Sequence, residues 1–158
     1  DLANSTIKHL TEYAYKHPDV DIVFKGKGGV HTSNDLPKNL PQNCRFELGG
    51  PGHGFLKDAK VVICFNTTVM FEAILSNREI VIPNFEVDRS KLNKFILKSP
   101  NKFADTKEIF FEMINRNLNK TYEVKNLSKE EKECVDYYLG NSDGKAGYRL
   151  KKFIEKNL

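Results

Sequence analysis

Four short strand-like segments set the terms for how this chain can fold: VDIVF (20–24), CRFEL (44–48), KVVICF (60–65) and EIVIPNF (79–85). Each is long enough for a strand and too short for a buried helix. They are divided by Gly/Pro/Asn-rich loops or by stretches of helical period. Short, largely apolar strands that alternate with helices imply a parallel sheet with helices on both faces. The expectation is an α/β fold, a Rossmann-like doubly wound parallel sheet with helices on both faces.

The helices follow from the spacing of apolar residues. NSTIKHLTEYAYKHPD (4–19) sets Ile7, Leu10, Ala14 and Tyr15 on one stripe, with Asn4 or Ser5 as N-cap and Pro18 as the stop. His9 and His17 are read as surface residues of that helix. FLKDA (55–59) is expected to form a turn of helix and TTVMFEAILSN (67–77) a full one. SKLNKFIL (90–97) and TKEIFFEMINRNL (106–118) are amphipathic, the second with Ile109, Phe110, Met113, Ile114 and Leu118 as its apolar face. SKEEKECVDYYLG (128–140) opens with Ser128 and Glu131 at capping-box spacing, and AGYRLKKFIEKNL (146–158) supplies a last helix.

A length of 158 residues suits one domain, residues 1–158. The first helix has no strand before it, and the chain opens at Asp1, so the domain is read as a piece of a longer protein. With 39% hydrophobic and 29% charged residues the composition is globular rather than disordered. No apolar run approaches the roughly 20 residues of a membrane helix, and no signal peptide opens the chain. Cys44, Cys64 and Cys134 are widely spaced with no CxxC, which suggests neither a disulfide framework nor a zinc site. A reducing, cytoplasmic setting is the default. The net charge of +4 reads as spread along the chain, without aromatics interleaved in a basic stripe. Nucleic acid is therefore not an expected partner, whereas a phosphate-bearing small ligand or an anionic membrane surface fits.

In open α/β sheets, ligands bind where the strands end at their carboxyl side. After the first strand stand Lys25, Lys27, Gly28 and Gly29, two ammonium groups among glycines that let backbone amides approach a diphosphate. After the third stand Asn66, Thr67 and Thr68, at a helix start where free amides and hydroxyls favour an anion. Glu72 lies one turn beyond Thr68, the only polar side chain in VMFEAIL, and helical side chains lean back toward the N-terminus. A carboxylate buried there needs a donor, and vicinal hydroxyls of a ribose or sugar would supply one. His31 and His53, in glycine-rich loops, could meet a phosphate or move a proton. Plainer readings stay open for each: solvated lysines, ordinary helix caps, and a Glu72 paired with Lys or Arg or exposed on a helix flank. No catalytic residue, metal site or cofactor emerges.

The order of elements through GFLKDAKVVICFNTTVMFEAILSNREIVIPNF resembles the C-terminal half of a GT-B glycosyltransferase. Bacterial capsule and surface-polysaccharide transferases, and the related teichoic acid glycerophosphotransferases, are nearest. In such proteins a strand ending in Asn/Asp with paired Ser/Thr leads to a helix carrying Glu-Ala and then to a strand ending in Pro. Asn66, Thr67, Thr68, Glu72, Ala73 and Pro83 stand in those places. The resemblance covers residues 5 to 85, and the tail NSDGKAGYRLKKFIEKN more loosely. It implies transfer from a nucleotide-sugar donor without a metal, the Thr pair on the diphosphate, Glu72 on hydroxyls, and Lys25 closing the first strand. It further implies a missing N-terminal acceptor domain, an acceptor glycan or lipid-linked glycan, peripheral association with the inner face of the membrane, and a terminal helix packed back across the domain. The family often has Lys-x-His-Pro where this chain has KGKGGV, so the role of that histidine would pass to Lys27 or His31. A half-domain like that of nucleotide-sugar 2-epimerases, or a non-catalytic α/β binding module, are the alternatives.

Overall fold

The computed structural model describes residues 2–27, 38–64, 67–85, 102–121, 126–140 and 143–157. In chain order the elements are α1 (Leu2–Lys16), β1 (Ile22–Gly26), β2 (Cys44–Leu48), α2 (His53–Leu56), β3 (Val61–Ile63), α3 (Val69–Leu75), β4 (Glu79–Pro83), β5 (Phe103–Ala104), α4 (Lys107–Leu118), α5 (Lys129–Leu139) and α6 (Ala146–Asn157). The fold is mixed α/β, with a parallel pair β1–β2 and a parallel three-stranded sheet β3–β4–β5. The expected helix 90–97 lies outside the described residues.

The central strand β4 is buried on both sides. Ile80 and Ile82 pack with α3 (Met70, Phe71, Ala73, Ile74) and α5 (Cys134, Val135). Val81, pointing the other way, packs with α1 (Leu10, Tyr13) and α4 (Phe110, Met113, Ile114). Strand side chains alternate between faces, so one strand serves two cores. Pro83 fits because it sits at the end of the β3 pairing. Ile82 and Asn84 donate toward β5, to the carbonyls of Lys102 and Ala104, while Cys64 N–H bonds the Val81 carbonyl as the last rung on the other side. The missing Pro83 N–H thus falls where no rung is needed.

Several boundaries differ from expectation for identifiable reasons. Helix α1 begins at Leu2, so Asn4 and Ser5 lie within it rather than capping it. Tyr13, not Tyr15, carries its apolar face: Tyr13 is 1% exposed and its hydroxyl donates to Asn115 Oδ1 at 2.5 Å, whereas Tyr15 is 63% exposed. His9 is half-buried, edge-on to Phe85 at 5.0 Å, and His17 stacks on Tyr13 at 4.1 Å, so neither is a simple surface residue. Burial, reinforced by Lys107, holds the His9 pKa below its usual value. Ile109 faces outward from α4. The capping box at α5 forms as expected, with Ser128 accepting from Glu131 N–H and Glu131 accepting from Ser128 N–H.

The first strand starts at Ile22 rather than Val20 because Val20 belongs to the turn that follows α1. Its N–H donates to the His17 carbonyl, and its own carbonyl accepts from Asn43. Asn43 Nδ2 also reaches the carbonyls of Ala14 and His17, at 3.2 and 3.0 Å. One amide therefore holds the carbonyl end of α1, which helix geometry leaves without partners. Replacing Asn43→Ala should lower stability by about 2 kcal/mol, since each net hydrogen bond contributes roughly 1 kcal/mol. A shift of the urea midpoint with unchanged slope would register it; an unmoved midpoint would refute the clamp.

Candidate functional site

The amino and carboxyl ends of the strands are built differently. At the amino end, Glu79 Oε1 and Oε2 meet Lys120 at 2.7 Å and Lys102 at 3.7 Å, and Lys102 also approaches Glu131 at 3.8 Å. These pairs tie β4, β5, α4 and α5 together. The described candidate residues Lys25, His53, Thr67 and Thr68 follow or close β1, β2 and β3 at their carboxyl ends.

Lys25 lies on β1 opposite Glu47 of β2 and is solvent-exposed. Its ammonium donates to the carbonyls of Gly26 (3.3 Å) and Gly49 and stands 6.0 Å from the centre of the Phe55 ring. An ammonium has three donors, so one N–H remains for an anion. Gly49 and Gly50, just past β2, both have φ near +67° with open space where a side chain would project. That left-handed pair is why this turn is written with glycine. The turn runs into α2, whose first residue is the exposed His53. A methyl group at Gly52 would lie 3.9 Å from Val69 Cγ2, so the turn after β2 borders the start of α3 after β3. Lys25, the glycine turn, His53 and Thr67–Val69 are thereby brought to one end of the sheets.

Within α3 the structure sharpens one expectation and corrects another. Thr67 Oγ1 accepts from Val69 N–H at 3.4 Å, while Thr68, at the N-cap, makes no side-chain cap bond and points to solvent. Thr68 and Glu72 do share a face, but it is the exposed one. Met70, Phe71, Ala73 and Ile74 turn inward, which rotates Glu72 out on the opposite side. The Glu72 carboxylate is therefore not buried and requires no donor; it stands in water one turn from Thr68. Lys27 is likewise exposed. Gly28, Gly29, His31 and Asn66 lie outside the described residues.

Two features here were not anticipated. Phe55, expected only as part of a helical turn, lies beneath the Lys25 ammonium. Asn84, following β4, is 4% exposed and donates from Nδ2 to Asp105 Oδ1 at 2.7 Å, while its Oδ1 is buried with no partner among the described residues. The rule of strand carboxyl ends could have found it, because it follows Pro83 directly.

Among the described residues no cluster of His, Cys, Asp and Glu could hold a metal ion, and no helix is long and apolar enough to cross a membrane. No family model matches the chain, and the comparisons with curated proteins and with solved structures also gave no match.

Proposed function

We propose that this chain is the donor-binding half of a GT-B glycosyltransferase of bacterial surface-polysaccharide assembly, a doubly wound Rossmann-like domain that takes a nucleotide-activated sugar. One observation carries the reading: Lys25, the open Gly49–Gly50 turn and the Thr67–Thr68 helix start converge at the strands' carboxyl ends, with Glu72 one turn further on. The cation would take the diphosphate, the Thr hydroxyls its oxygens, and the solvent-facing Glu72 the hydroxyls of ribose or sugar. Charge developing on the departing diphosphate would be stabilised by the same groups. The acceptor glycan and the general base belong to a second half in this reading.

A thermal-shift panel of UDP, CDP and GDP sugars tests it. The matching donor should raise the melting temperature, since a ligand at a hundred times its Kd adds about 2.7 kcal/mol of stability. Lys25→Ala and Glu72→Ala should each weaken that donor by about tenfold or more, the expected cost of a lost charged hydrogen bond. A flat response across the panel would overturn the reading and favour a non-catalytic module.

A further inference from the structure

The last helix, α6, contains no buried residue, although it carries large apolar side chains. Ala146, Leu150, Phe153 and Ile154 recur at intervals of three and four, which sets them on one stripe, and the last three are 60%, 65% and 46% exposed. The expected packing of this helix back across the domain is thus not what the described residues do. The basic surplus is also less evenly spread than the chain as a whole suggests. Lys145, Arg149, Lys151, Lys152 and Lys156 stand against the one carboxylate of Glu155, so the segment 145–157 holds a net charge equal to the +4 of the entire chain. Arg149 and Lys151 lie on either side of the apolar stripe. Asp143 holds the Arg149 guanidinium at 2.8 and 2.9 Å, Lys151 pairs with Glu155 at 3.7 Å, and Lys152 covers the Tyr148 ring at 4.9 Å.

We propose that α6 is an in-plane anchor for an anionic lipid surface. The stripe of Leu150, Phe153 and Ile154 enters the boundary between headgroups and acyl chains, and the flanking cations stay with the phosphates, their stems lying along the stripe. Twelve residues make a rod of about 18 Å, which lies on a bilayer and does not cross it. A second copy of the chain is the poorer occupant, because two such helices face to face would set like charges against each other.

Vesicle co-sedimentation of the whole chain at low ionic strength provides the test. Vesicles containing phosphatidylglycerol should carry the protein down, vesicles of phosphatidylcholine alone should not, and added salt should release it. Phe153→Glu should weaken binding by about tenfold or more by removing the central apolar contact. Its thermal unfolding should match the parent's, because the position is exposed. No sedimentation with anionic vesicles would overturn the proposal, and so would binding unchanged by Phe153→Glu. Self-association that Phe153→Glu abolishes, without any vesicle binding, would assign the stripe to a second copy instead.

Discussion

Phe110→Ala is expected to lower the stability of this protein by about 3–5 kcal/mol, the range for truncating a fully buried Phe. Phe110 is 0% exposed and meets Phe85 edge-on at 5.2 Å, within the cluster that joins α1 and α4 to Val81 of β4. No neighbour can collapse easily into the space, because it is walled by two helices and the sheet. For a chain of this length the melting temperature should fall by about 10 °C. The neighbouring Ile109→Ala is the control. Ile109 is 40% exposed, so its loss should change stability by no more than about 0.5 kcal/mol. Equal losses at the two positions would mean that α4 is rotated from the face described.

The second large effect is expected on the alkaline side. Cys64, just past β3, is buried in the core with Leu56, Met70 and Ile80, and burial pushes its thiol pKa from 9.0 up to about 12. The folded state therefore keeps the proton over a range in which the unfolded chain loses it. Stability conferred by the neutral thiol is intact below pH 9 and declines as the pH rises from 9 toward 12. The slope is about 1.4 kcal/mol per pH unit for a single group. The comparison is with Cys64→Ala, which starts less stable because of its cavity but should show a shallower alkaline limb. Parallel limbs for the two proteins would place the thiol in contact with water.

What could be read from the residues was set by range. Strand β4 is written in a contiguous apolar run and β2 in an alternating one, and Lys25 is legible as a site residue because it follows the apolar run of β1. Strand β5 is two residues long and has no pattern of its own; it exists because the carbonyls of Lys102 and Ala104 accept from Ile82 and Asn84. The choice of Tyr13 over Tyr15 depends on Asn115, a hundred residues away, and the end of α1 depends on Asn43. The exposure of Glu72 is not encoded locally, for a related reason. Being the lone polar residue in VMFEAIL does not say which side of a short helix meets the core, and the four inward residues decide it. The proximity of the turn after β2 to the start of α3 is tertiary, and no spacing along the chain encodes it.

The double-sided burial of β4 has a consequence for how its pairing is specified. In a strand with one wet face, a slip of one residue is forbidden because it would turn polar side chains inward. Ile80, Val81 and Ile82 give no such warning, since a slip merely exchanges aliphatic side chains between two dry faces. Discrimination is left to side-chain shape and to the polar groups at either end of the strand. Glu79 is moored to Lys102 and Lys120 at one end, and Asn84 to Ala104 and Asp105 at the other. A one-residue displacement would break both moorings at once, so the alignment of the most apolar strand is kept by its two polar neighbours.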